Sequence, residues 1–139
     1  MDESVFRTEF GTIHDCFATK IVEANNNIIF YFEDGFWVSA FDIKDQFIGA
    51  FIAKKSEVVI HNFKLMAIQL HNNDELVVTW KSLVEHVNNK EWRLEFLSEE
   101  QDAELLFTCF LWYDTGKADF LTISFLCNKV EIKYDQTDF

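Results

Sequence analysis

The sequence predicts a mainly β fold: an antiparallel sheet of about nine or ten strands that closes into a barrel or folds as a two-layer sandwich, with one helix over residues 80–88. Three observations lead there. Turn residues recur at short intervals, as Asn25-Asn26-Asn27, Asp34-Gly35, Asn72-Asn73-Asp74, Asn88-Asn89, Asp114-Thr115-Gly116 and Asn128-Lys129. Between them apolar residues alternate at period two, the spacing of one face of a strand. No βαβ rhythm emerges, which removes a Rossmann-type nucleotide crevice.

The elements follow in order. A short helical turn fits residues 3–9. Residues 16–23 have strand composition and turn back through Asn25–Asn27 into 28–33, where Ile28, Phe30 and Phe32 share one face. Asp34-Gly35 is a hairpin signal, and 36–41 answers it. Strand composition continues over 47–53, 57–61, 63–70 and 76–79, with Lys54-Lys55-Ser56 as a turn.

Then the period changes. Trp80, Leu83, Val84 and Val87 fall at i, i+3, i+4 and i+7, one apolar helical stripe, with Thr79 placed to cap it and Asn88-Asn89 to end it. Trp92, Leu94 and Phe96 alternate with Glu91, Arg93 and Glu95, a strand with one buried and one wet face. Ser98–Asp102 reads as a polar loop. Residues 105–113 are apolar on both faces and predict a central strand, 120–127 returns from the Asp114–Lys117 turn, and 130–134 closes the series with Val130, Ile132 and Tyr134 inward. By alternation Trp92 and Trp112 belong in the core.

With no proline and four glycines, nothing reads as a linker, so a single domain over 1–139 is expected, fraying over 136–139. Sixteen Phe, four Trp and three Tyr make 17% of the chain. Two readings of that excess compete. An A- and T-rich genome favours Phe, Ile, Asn and Lys codons, and a strand-rich core selects aromatics in any case; alternatively the aromatics line a cavity or an interface.

Charge is the strongest global signal. Twelve Lys+Arg against 24 Asp+Glu give −12, which disfavours nucleic acids and anionic membranes, since both select a basic surface. Residues 91–139 carry 11 acids and 4 bases, against 13 and 8 in residues 1–90. Three cysteines without a C-x-x-C pair argue against a disulfide framework. No signal-peptide pattern follows Met1, and no apolar run approaches the ~20 residues of a membrane helix. A cytoplasmic location is the expectation.

Candidate chemistry is sparse. His14 and Cys16 share a strand face, but zinc needs three or four ligands, and His61 and His71 would have to be recruited through the fold. Cys109 and Cys127 lie in apolar strands, where a thiol stays protonated. Asp114-Thr115-Gly116-Lys117 contains a Gly-Lys pair without the earlier glycine of a phosphate loop. The acids Glu99, Glu100, Asp102 and Glu104 show no pattern of calcium ligands, and neither do Asp42 and Asp45. No metal, cofactor or catalytic residue is assigned.

The expectation is therefore a non-enzymatic binding module, of the inhibitor or immunity type, whose acidic face meets a basic protein partner; self-association as a homodimer is also compatible. The alternative is a carrier of a small apolar ligand in an aromatic-lined barrel or cleft. The residues placed at the ligand or partner surface are Trp37, Phe41, Tyr113, Glu99, Glu100, Asp102 and Glu104.

Overall fold

Asn25 and Asn26 both take positive φ, +53° and +65°, the backbone that a two-residue hairpin loop requires. The strands on either side of such turns set the architecture. The computed structural model describes residues 5–7, 16–41, 44, 46–53, 55–71 and 77–133, with backbone alone for 5–7, 36–41, 48 and 50–53.

Twelve strands and one helix follow in order: β1 (Val5–Arg7), β2 (Cys16–Ala18), β3 (Lys20–Ala24), β4 (Asn27–Phe32), β5 (Phe36–Phe41), β6 (Phe47–Ala53), β7 (Ser56–His61), β8 (Lys64–His71), α1 (Trp80–Asn88), β9 (Arg93–Gln101), β10 (Leu105–Trp112), β11 (Ala118–Leu126) and β12 (Lys129–Lys133). They form a five-stranded sheet β2-β9-β10-β11-β8, a four-stranded sheet β12-β7-β4-β3 and a three-stranded sheet β1-β5-β6. Every pairing is antiparallel. The sheets do not close into a barrel, and the sandwich is the form that fits.

Several expectations change. Residues 16–23 are two strands, because the chain leaves the five-stranded sheet at Thr19 and enters the four-stranded one. Thr19 marks the crossing: its backbone N–H donates to the Tyr31 carbonyl at 2.7 Å and its hydroxyl to the same oxygen at 3.2 Å. The expected helical turn near 3–9 contains strand β1 instead, paired with β5. Residues 98–101 extend β9, because pairing with Leu105–Thr108 satisfies their backbone despite their polar side chains. Residues 77–79 carry no strand and lead into the helix. Tyr134 and the tail over 136–139 lie outside the described residues.

The inner faces supply one apolar core. Phe30 and Phe32 from the four-stranded sheet meet Phe96 and Phe107 from the five-stranded sheet edge to face, with centroids 5.0–6.1 Å apart. Phe125 extends the cluster, 6.3 Å from Phe107. All five rings are at most 1% exposed.

The helix occupies its expected span. The Thr79 hydroxyl accepts from the Ser82 N–H at 3.1 Å, and the Thr79 N–H donates to the Ser82 hydroxyl at 3.1 Å, a capping box with serine in the third position. Leu83 and Val87 are buried, and Trp80 meets Phe30 and Phe125 edge to face. The helix lies along β3, an edge of its sheet. There the Asn88 side-chain amide accepts from the Ile21 N–H and donates to the Ile21 carbonyl, both at 2.8 Å, imitating a neighbouring strand. The Trp80 indole N–H donates to Glu23 of the same strand.

Candidate functional site

The register across the five-stranded sheet defines its outer face. Phe17, Glu95, Phe110, Phe120 and His71 stand opposite one another in successive strands from β2 to β8. The Phe110 and Phe120 rings lie 4.4 Å apart, and Phe110 also meets Trp112 at 6.1 Å. Phe120 is 49% exposed. At one end of the row, Arg93 lies 4.1 Å over the Phe17 ring; at the other, His71 Nε2 is 3.1 Å from the Thr122 hydroxyl. Outward positions of an antiparallel sheet are ordinarily polar; here they hold Leu106, Phe110 and Trp112 in β10 alone.

Trp112 thus corrects the core assignment. It lies on the outer face, half-buried, with its indole N–H donating to Glu95 at 2.9 Å. Alternation places it opposite Arg93 rather than among the buried Leu94 and Phe96. Trp92 is also half-buried, wedged at the core margin between His86, stacked at 3.9 Å, and Tyr113, edge-on at 5.6 Å.

Around Trp92 lies a second feature, a cleft of about 230 Å³ lined by residues that include Phe17, Thr19, Glu33, Asp34, Lys90 and Arg93. The Tyr113 hydroxyl donates to Asp119 at 2.9 Å. Burial first, then Asp119, pushes that phenol up to about 12, so it stays a neutral donor at physiological pH. His86 Nδ1 lies 3.2 Å from Glu91.

The residues expected at a site are not brought together. Tyr113 closes β10 beside the cleft. Glu99, Glu100, Asp102 and Glu104 lie at the far end of the β9–β10 hairpin, about 20 Å along β9 from Arg93 at the rise of a strand. In that hairpin the Asp102 N–H donates to the Glu104 carbonyl at 3.1 Å. Glu99 faces inward at the rim, opposite Phe107, and burial, followed by the charge of Glu100, raises its carboxyl above the usual range. Trp37 and Phe41 lie on β5, opposite Ile52 and Phe47, and their side chains lie outside the described residues. Sequence reading missed Phe110 and Phe120; the signal was present, since both occupy positions out of phase with the buried residues of their strands.

The thiols of Cys109 and Cys127 are held protonated. Burial pushes the Cys109 thiol far up and the Cys127 thiol up to a lesser degree, although the N–H of Lys129 partly opposes the second shift. His61 pairs with Glu131 at 2.9 Å, on the opposite sheet from His71. His14 lies outside the described residues, and among those described no three His, Cys, Asp or Glu side chains gather as a metal site. Among the described residues no helix is long and apolar enough to cross a membrane. No family model, curated protein or solved structure matches this chain.

Proposed function

We propose that this protein is a non-enzymatic binding module that engages a basic protein partner through the outer face of its five-stranded sheet. The carrying observation is the Phe110–Phe120 pair, an aromatic contact on the solvent side of a sheet, with Phe120 half exposed. Large aromatic side chains in such positions serve as interface anchors. The segment 93–126, which supplies β9, β10 and β11, holds seven acids and two bases. An apolar spot in an acidic setting is complementary to a partner whose own apolar patch is ringed by Lys and Arg.

The acids expected to meet that partner keep a role here as steering charges around the aromatic spot. Glu95 and Glu100 are on the face itself, and Asp102 and Glu104 are at one end of it. The alternative, an apolar ligand in an aromatic-lined barrel or cleft, has less support in its barrel form: the sheets do not close, and the core phenylalanines pack on one another.

Affinity capture with the wild-type chain and with Phe120→Ser tests the proposal, at low and at high salt. The expected result is a basic protein retained by the wild type, lost with Phe120→Ser, and weakened as salt rises. Capture unchanged by the substitution, or indifferent to salt, would sink it.

A further inference from the structure

We infer that the cleft at the C-terminal end of α1 is a binding site for a small zwitterion, specifically a free α-amino acid with an apolar or aromatic side chain. Its two walls carry opposite charge. Glu33 and Asp34, from the turn after β4, form the acidic wall, and Lys90, from the connection between α1 and β9, and Arg93, the first residue of β9, form the basic wall. Among the described residues none of these four makes an ion pair within 4.0 Å, so the walls stand apart and keep their charges available. The same cleft is lined by Trp92, Phe17 and the buried Val87 and Ala18, its apolar part. A ligand that carries an ammonium, a carboxylate and an apolar group satisfies all three surfaces. An anion or a cation alone would leave one wall unanswered, and a plain hydrocarbon would leave both.

Size sets the class. The cleft measures about 230 Å³. That suits an amino acid and falls below the range of about 300–1,000 Å³ of pockets for larger ligands. The site is also held in shape. The Trp92 ring is fixed by His86 and Tyr113 on its two sides, and Arg93 is held over Phe17.

The helix end supplies an independent sign. Lys90 takes φ +61°, and its N–H donates to the Val87 carbonyl while the Glu91 N–H donates to the His86 carbonyl. This is a Schellman termination, whose left-handed residue is ordinarily glycine, or else asparagine. A lysine there is strained, and the position it takes is the rim of the cleft. The same left-handed backbone occurs at Lys55 in the β6–β7 turn, so what matters here is where the residue lies and not the strain itself.

The site does not depend on the protein-partner reading, since Phe120→Ser leaves every lining residue in place. The test is titration of the full chain with L-phenylalanine and L-leucine, followed by calorimetry and by NMR of the Trp92 indole N–H. N-acetyl-L-phenylalanine and L-phenylalaninamide serve as probes lacking one charge each. The expected result is a saturable shift of the Trp92 signal, with each blocked analogue at least tenfold weaker than L-phenylalanine. In K90Q/R93Q the amide should bind as well as the free amino acid, and in E33Q/D34N the acetylated form should. Lys90→Gly should raise the melting temperature while weakening L-phenylalanine, a combination that a purely structural lysine would not give. No saturable shift with either amino acid, or equal affinity for all three phenylalanine probes, overturns the assignment.

Discussion

The two large sheets share one core but treat water differently. On the outer face of the four-stranded sheet, Lys133, Glu57, Tyr31 and Lys20 form one cross-strand row and Lys129 and His61 another. Lys20 lies over Tyr31 at 5.8 Å, and His61 bonds Glu131. The apolar row between them, Val59, Ile29 and Val22, is sheltered so well that Val59 is only 4% exposed although it points away from the core. The rows on either side are mostly long polar side chains, of the kind whose stems lie along apolar surface. On the five-stranded sheet the row on one side of Phe110 and Phe120 is Ser98, Thr108, Thr122 and Gln69, and the row on the other side is Arg93, Trp112 and Ala118. Phe120 itself is flanked along β11 by Ala118 and Thr122, which are too short to cover its ring. Met66, Phe120 and Leu126 are exposed on this sheet, and among the described residues no large apolar side chain is exposed on the other. An outward apolar residue is thus a packing element or a contact surface according to the length of its neighbours.

That contrast is open to test by substitution. The inner faces should be the most sensitive and the same for both sheets: Phe30→Ala and Phe107→Ala should each cost about 3–5 kcal/mol in denaturant unfolding. A much smaller loss at either would mean the aromatic cluster is not the common core. The outer faces should then diverge. Phe120→Ser should weaken partner binding by about 2 kcal/mol or more and leave stability within about 1 kcal/mol, whereas Ile29→Ser should lower stability and leave binding alone. Equal behaviour at the two positions, measured by unfolding and by binding of the captured partner, would break the comparison.

Edge protection gives a smaller effect. Asn88→Ala removes both hydrogen bonds to Ile21 and should cost about 1–2 kcal/mol. Amide exchange should speed up first at Ile21, because the helix then no longer closes the β3 edge.

The smallest effects concern two glutamates of opposite sense. Hydrogen bonding from His61 is the main cause that lowers the Glu131 carboxyl, aided by Lys133 and Lys129 and opposed by desolvation. Its stabilisation is complete above the unfolded carboxyl value and is lost as pH falls through the folded one. Glu99 is raised, so its charge opposes folding at neutral pH, and that cost disappears as pH falls through the carboxylate range. Glu131→Gln should therefore lower the neutral-pH melting temperature slightly and Glu99→Gln raise it, with both differences vanishing in strong acid. Shifts of the same sign would contradict these environments.

Much of this fold was legible from local chemistry. The Asn25–Asn26 turn needed left-handed backbone and had the residues for it, and α1 had its stripe and its cap. In β4, β9 and β10 the buried set followed period two, because one side of each strand meets the other sheet. Where the reading failed, the deciding contact was distant. Trp112 reads as core because alternation gives two faces without saying which is inward. The polar Ser98–Gln101 segment became strand because β10 supplied partners for its backbone.

The candidate site was less legible still. Tyr113 was marked, but its neighbour Trp92 was assigned to the core, and Lys90, Arg93, Glu33 and Asp34 carried no motif. They converge only because the turn after β4 and the end of α1 meet across the sandwich. By itself the sequence determined most of the strands, the helix and its cap, the turns and the acidity, all of which depend on residues near one another in the chain. Tertiary structure alone decided that the strand at Thr19 changes sheets, that one outer face is sheltered while the other exposes aromatic rings, and that two charged walls frame a cleft. Each of those depends on side chains far apart in sequence, whose pairing is set by how the two sheets pack and not by any local preference.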